Sequence, residues 1–281
     1  MKKRRGSGYT ILEVMIFMAI SASMFVLAIT SIGGRQQQVR FTQAVRDFDS
    51  KLQDVLNDVS TGYYQTAGRI SCDVAPGANS RPNVGYDDPE PAGTNSECVF
   101  IGKVIHFSPD NGAGDNQSHF NIYDVVGRRY VDSDVRPVNL AEAKPVAVRI
   151  ANINEFQSGM KVTKIAREDN PAINTIGAIG VFTGTNKNIQ ADYSSNNESI
   201  NVATIPGTAF DYTPDTIYGI TDQITDVTGF GGNYIDMNST ARIVVCLSDT
   251  DNKRKASITF GGNEISTKLD FDTYNTEVCG L

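Results

Sequence analysis

The sequence predicts an α+β protein in which one long N-terminal helix packs on an antiparallel β-sheet head. Three observations carry this reading. Residues 9–32 form an apolar run broken by a single charge, Glu13. Beyond it, apolar residues recur at helical spacing up to residue 59. After residue 61 the composition turns to Asn, Asp, Thr and Gly, with short stretches of alternating apolar residues of the kind that form strands. Four segments follow: a basic leader over 1–8, an apolar helix segment over 9–32, an amphipathic helix segment over 33–61 and a β-rich head over 62–281.

The first segment carries Lys2, Lys3, Arg4 and Arg5. From Val14 to Ile32 there are nineteen residues without a charge. As a helix they nearly span a hydrocarbon core of about 30 Å, and residues 9–32 are ample. The positive charges before the run put its start in the cytoplasm and the head outside, as a single-pass membrane protein. Glu13 is then conspicuous. A carboxylate in the middle of a bilayer helix costs about 2.5–3.5 kcal/mol on insertion scales, so such residues acquire partners. The nearest plausible partner is a positive charge on another copy of the chain.

The order basic leader, Gly8, aromatic Tyr9, then Thr10-Ile11-Leu12-Glu13 and an apolar helix resembles the N-terminus of the type IV pilin family, pseudopilins included. The family most often has Phe where this chain has Tyr9; the aromatic ring is kept. The resemblance implies that a prepilin peptidase cuts between Gly8 and Tyr9 and methylates the new amine. Glu13 becomes the fifth mature residue and neutralises that amine on a neighbouring subunit during docking. It further implies other pilin subunits and an inner-membrane assembly platform as partners, membrane lipid around the helix before assembly, and a pilus or pseudopilus as the destination. A local role for Glu13 stands beside this one. Thr10 and Glu13 fit a capping box, and an acidic residue in the first turn suits the helix dipole. An ordinary secretory signal is the competing reading, with Ala19, Ser21, Ala22 and Ser23 imitating a signal-peptidase site. Glu13, and the apolar run that continues past those small residues, argue against it.

The helix is expected to continue to Thr61. Phe41, Val45, Phe48, Leu52, Val55 and Val59 step by three or four residues, while Gln43, Arg46, Asp47, Lys51, Asp54 and Asp58 occupy the other faces. Gly62 is the expected stop. Residues 9–61 make about 80 Å of helix. Gly33-Gly34 interrupts it, each Gly costing about 1 kcal/mol against Ala. The pair is either a flexible exit from the membrane or a weak point that unwinds in a filament, as in some members of the family.

In the head, strands are expected at 98–107, 119–126, 146–150, 161–165, 176–183, 199–205, 242–247, 256–260 and 264–270. Gly261-Gly262-Asn263 reads as a hairpin turn, so the chain ends in a three-stranded meander. Residues 75–95 and 183–199 read as surface loops. The head has four cysteines. Three connectivities are possible, and an extracytoplasmic location permits disulfides. Cys72 with Cys98 would close the Pro/Gly-rich loop, and Cys246 with Cys279 would tie down the tail. The resemblance supports the second pair, because many pilins have a disulfide near the C-terminus. Free buried thiols are the alternative.

The formal charge is −7, and removing the four positive charges of the leader leaves −11. So acidic a chain is a poor nucleic-acid binder. Arg128-Arg129 and Lys253-Arg254-Lys255 are the basic clusters of the head and read as solvated turns. Two histidines and no Trp are present. His106 and His119 are placed to pair across a hairpin, in a structural role. No nucleophile elbow, Walker loop, zinc-protease helix or dinucleotide fingerprint occurs, so no enzyme is expected. No cofactor is expected either. Asp110, Asn111 and Asp115, and more so Asp249 and Asp251 with Asn252, are weak Ca²⁺ candidates; neither loop follows an EF-hand pattern. Triplets at Asn116, Asn197 and Asn238 match glycosylation acceptors, a chance pattern in so Asn-rich a chain. The sequence therefore reads as a structural pilus or pseudopilus subunit, its large head suggesting a minor pilin. A pilus-displayed adhesin or substrate-binding head on the same anchor is the alternative.

Overall fold

The computed structural model describes residues 10–62, 71–74, 81–85, 98–108, 119–130, 143–148, 153–169, 178–183, 200–205, 234–236, 242–262, 264–271 and 276–279. A helix, α1 (Ile11–Thr61), runs for 51 residues. Thr10 caps its start, and Gly62 ends it in a left-handed conformation with its N–H turned to the carbonyls of Asp58 and Val59. The Gly62 stop and the Thr10 cap match the expected ones; the helix proper begins at Ile11, after the cap, and not at residue 9.

Thirteen strands are present among the described residues, all paired antiparallel. β1 (Ser71–Val74) pairs with β2 (Pro82–Gly85). A seven-stranded sheet has the order β10 (Tyr234–Asp236), β9 (Ile200–Ile205), β8 (Ala178–Thr183), β3 (Cys98–Ser108), β4 (His119–Arg128), β5 (Val146–Val148), with β6 (Ile153–Glu155) also on β4. A four-stranded sheet has the order β13 (Glu264–Asp270), β12 (Lys255–Gly261), β11 (Arg242–Ser248), β7 (Lys161–Arg167). A short helix, α2 (Thr276–Cys279), follows.

The α+β class and the antiparallel sheets agree with the sequence. The expected final meander is present as β11, β12 and β13, and β7 adds a fourth strand at the free edge of β11. Other expectations need correction. The stretch 75–95 holds strand β2, whose Pro82 lies at the end of an edge pairing where a missing N–H is tolerated. β1, β6, β10 and α2 were also not anticipated. The β elements have three or four residues each, too short to show alternation.

The second half of α1 is the core of the head. Phe41, Val45, Phe48, Leu52, Val55 and Val59, the whole expected stripe, are buried, and Ala44 and Leu56 widen it. The stripe meets residues of both large sheets. Ile105, Phe107, Phe120, Ile179 and Val181 come from the seven-stranded sheet; Ile165, Ile243, Val245, Ile258 and Phe260 come from the four-stranded one. Two sheets, where one was expected, thus share one helix face. Phe48 is central, with ring centroids 6.0, 5.2 and 5.0 Å from those of Phe107, Phe120 and Phe156 in edge-on geometry. Such pairs add about 0.5–1.5 kcal/mol beyond area burial.

The seam is finished with polar contacts. Lys51 Nζ donates to Asn154 Oδ1 at 2.9 Å and lies over the ring of Phe120. Gln53 Nε2 donates to Thr267 Oγ1 at 2.7 Å, and that hydroxyl donates to Asp49 Oδ1.

A bulge in β3 decides which of its side chains face α1. The register to β4 shifts between Phe100 and Gly102. Before it Phe100 packs toward the helix; after it Ile105 and Phe107 do, with Ile101 on the other side. Gly102 is required there, since a Cβ would lie 2.1 Å from the carbonyl oxygen of Val181. Phe48→Ala is expected to destabilise the head by about 3–5 kcal/mol. Denaturant unfolding of the full chain in detergent checks this, and a loss under about 1 kcal/mol would remove Phe48 from the centre of the core.

Candidate functional site

The first half of α1 contrasts with the second. Every described side chain from Thr10 to Ala28 is exposed, including Ile11, Phe17, Met24, Phe25 and Leu27. The window Ile11–Ala28 has a mean hydropathy of 2.3 and is long and apolar enough to cross a membrane. Water does not stabilise such a surface. It exceeds the scattered apolar exposure of ordinary proteins and requires a cover.

At the head of this segment, Thr10 takes an extended conformation and its Oγ1 accepts the Glu13 N–H at 3.4 Å. The Thr10 carbonyl accepts the same N–H at 3.0 Å and that of Val14 at 3.3 Å. Thr10 and Glu13 are thus brought together as one half of the capping box. The Glu13 carboxylate is exposed in the first turn, where the helix dipole favours an anion. Gly8 and Tyr9, the expected processing site, lie outside the described residues. Gly33 and Gly34 lie within α1, which the structure carries through them as helix.

The disulfide Cys246–Cys279 is present, with Cα atoms 5.7 Å apart. It fastens α2 to β11 in a buried cluster with Ala166, Val244 and Val278. Lys164 Nζ donates to the Val278 carbonyl at 2.6 Å beside it. Cys98 is also disulfide-bonded. The side chain of Cys72, its expected partner, lies outside the described residues. Closing a loop of this size stabilises a fold by about 2–4 kcal/mol. Cys246→Ser with Cys279→Ser is expected to lower stability by that amount, and an unchanged thermal midpoint would show the tail to be held by α2 packing alone.

The weak Ca²⁺ candidates divide. Asp249 Oδ1 accepts the N–H groups of Lys253 and Arg254 at 2.7 and 3.1 Å, and Oδ2 pairs with the Arg254 guanidinium at 2.8 Å. Asp251 pairs with Lys253 at 3.2 Å on the surface. The loop is therefore closed by its own cations and N–H donors, and Arg254 also donates to Gln37 of α1 at 3.2 Å. Among the described residues no group of three or more His, Cys, Asp or Glu is placed to hold a metal. Asp110, Asn111, Asp115 and the three glycosylation-like triplets lie outside the described residues.

Three further expectations change. Arg128 is buried at the end of β4, so it is no solvated turn residue. Arg254 is likewise committed to Asp249. His106 and His119 do not face each other: His106 is opposite Asn121, and His119 is opposite Ser108. His106 is buried next to Tyr123, with ring centroids 6.3 Å apart.

Burial lowers the His106 pKa to about 4 from 6.5. The unfolded chain takes up its proton from about pH 6.5 downward, and the folded chain only near 4, so acid favours unfolding. This contribution is complete above pH 6.5 and is lost between 6.5 and 4, by up to about 3 kcal/mol. Asp124 acts in the opposite direction. Burial raises its pKa, against the pull of Lys103, so it binds its proton more readily folded than unfolded. The stability difference between wild type and His106→Leu isolates the imidazole and is expected to shift toward the variant as pH falls from 7 to 4. A pH-independent difference would contradict it.

The residues that the sequence did not single out are Lys103, Asp124 and Asp58. Lys103 Nζ lies 2.7 Å from Asp58 Oδ2 and 3.3 Å from Asp124 Oδ1. Lys103 and Asp124 are buried, and the Asp58 side chain is 31% exposed. The available signal was one Lys inside an apolar strand. Its partners come from α1 and β4, and no local pattern joins them.

In comparisons with known proteins, no protein-family model, curated protein or solved structure matches this chain.

Proposed function

We propose that the chain is a structural subunit of a type IV pilus or pseudopilus, a minor pilin by the size of its head. The observation that supports this best is the division of α1. One helix buries its C-terminal stripe in the head and exposes an apolar N-terminal half. In this reading lipid covers that half first. Packed helices of other subunits cover it later, in the filament.

The second support is the residue order at the start. Prepilin peptidase would cut after Gly8 and leave a methylated, cationic amine on Tyr9. Glu13 on a neighbouring subunit would meet that amine away from water. Opposite charges attract strongly in low dielectric, and either alone is costly there. Pairing therefore selects the register in which subunits dock. Thr10 capping and Glu13 docking are compatible, because the cap uses backbone N–H groups and leaves the Glu13 carboxylate available. The helix segment at Gly33-Gly34 would adjust as the rods bundle. The head, with its acidic surface and its disulfides, would face outward on the cell surface or in the secretion pseudopilus. The chain would act without catalysis of its own.

N-terminal sequencing of the membrane-extracted protein is expected to give methylated Tyr9. A chain beginning near Ala22 would establish the secretory route and sink the proposal. Glu13→Gln and Glu13→Ala are expected to be inserted and processed but to yield few or no filaments. Normal filament numbers in both would remove the docking pair while leaving the anchor intact.

A further inference from the structure

We propose that Lys103 and Asp58 are the partners of a self-formed amide crosslink between helix and head, with Asp124 as the group that transfers the protons. Nothing in the pilus assembly reading uses these three residues, and the proposal stands independently of it.

The geometry has three parts. First, the nucleophile is sequestered. Lys103 lies in the middle of β3, just past the bulge between Phe100 and Gly102, on the side of the sheet that carries Ile105 and Phe107 against α1. Its side chain is 7% exposed. An ammonium loses most of its hydration there, and conversion to a neutral amide removes that cost. Second, the electrophile is in contact. Nζ is 2.7 Å from Asp58 Oδ2, so the ion pair holds the nitrogen beside the carboxyl group it would attack, and fixed proximity of this kind substitutes for a high reactant concentration. Asp58 belongs to the last turn of α1, whose carbonyl end disfavours an anion, so conversion of the carboxylate to a neutral amide removes an unfavourable charge there. Third, a proton carrier is built in. Asp124 stands directly opposite Lys103 in the β3–β4 ladder, with Oδ1 3.3 Å from Nζ. Its burial raises its pKa, which favours the protonated form that the step requires.

The step balances without an oxidant or cofactor. The Lys103 ammonium passes one proton to the Asp58 carboxylate, which leaves a neutral amine and a carboxylic acid. The amine lone pair attacks Asp58 Cγ while the Asp124 acid donates to the carbonyl oxygen. Asp124 then takes a proton from nitrogen, the C–O bond breaks, and one water leaves. The Nζ–Cγ amide remains, and Asp124 is again protonated. The partial exposure of Asp58 provides the exit for that water, and Asp124, enclosed, does not. This is why Asp58 is assigned as the acyl partner. The product joins residue 58 of the helix to residue 103 of the head by a bond that neither heat nor reductant opens. A subunit anchored through its helix would then transmit load from residue 58 directly to β3, bypassing the chain between residues 58 and 103.

The test is peptide mapping of the full chain purified from membranes in detergent. A branched peptide joining Lys103 to Asp58, lighter than its two parts by one water, is expected, and trypsin is expected not to cut at Lys103. Lys103→Arg keeps the charge but cannot form the bond, so its two peptides are expected to be linear. Asp124→Asn is expected to slow crosslinking by about a hundredfold, the worth of one acid–base group. Wild-type protein recovered entirely as linear peptides after prolonged incubation would overturn the proposal, and the wild-type readout needs no variant to fold. A branch at Asp124 instead of Asp58 would overturn the assigned roles.

Discussion

Everything in the head depends on the burial of one helix stripe. Phe41, Ala44, Val45, Phe48, Leu52, Val55, Leu56 and Val59 lie on a single face of α1, and two sheets close over it. Neither sheet presents another long helix among the described residues, so this stripe is where their inner faces meet. Four phenylalanines from α1, β3, β4 and the turn after β6 gather at Phe48. A helix used in this way cannot also be a freely hinged tether. Its C-terminal half is as fixed as the core, and any force along its N-terminal half arrives directly in the head.

The same helix explains the division of chemistry along the chain. From Thr10 to Ala28 its described side chains are exposed and largely apolar. The proposed assembly reading gives that surface a cover, first lipid and then neighbouring helices, and gives Glu13 a cation to meet. At the other end, Asp58 approaches Lys103 and Asp124 inside the head. Removing one member of such a group leaves a buried charge without compensation, which costs more than the group contributes when complete. The proposed amide in place of the ion pair would relieve that tension permanently. In the two proposals the ends of α1 carry carboxylates with opposite tasks, one toward other molecules and one toward its own sheet.

The boundaries of α1 were legible because caps and stops are local. Thr10 offers a side-chain oxygen three residues before the Glu13 N–H, and Gly62 tolerates the left-handed turn that ends a helix. The longer strands were legible for a related reason: β3, β4 and β11 have seven or more residues, and their apolar content persists over the whole length. Strands of three or four residues carry too little pattern, which is why β6 and β10 were missed. The Cys246–Cys279 pair was foreseen, whereas the commitment of Asp249 to Arg254 was not. An Asp-rich turn looks the same in sequence whether it awaits a cation or has already folded around an arginine.

The sequence by itself determined the rod: where it starts and ends, which half is apolar all round, and which residues of the other half turn inward. Helical period and side-chain polarity are properties of neighbours along the chain, so they need no fold to be read. Tertiary structure alone decided that two sheets share the rod, that a bulge between Phe100 and Gly102 turns Lys103 toward it, and that His106 is enclosed beside Tyr123. Those outcomes rest on pairing registers between segments far apart in the chain. A shift of one residue in such a register moves every following side chain to the opposite face, and no local pattern records it.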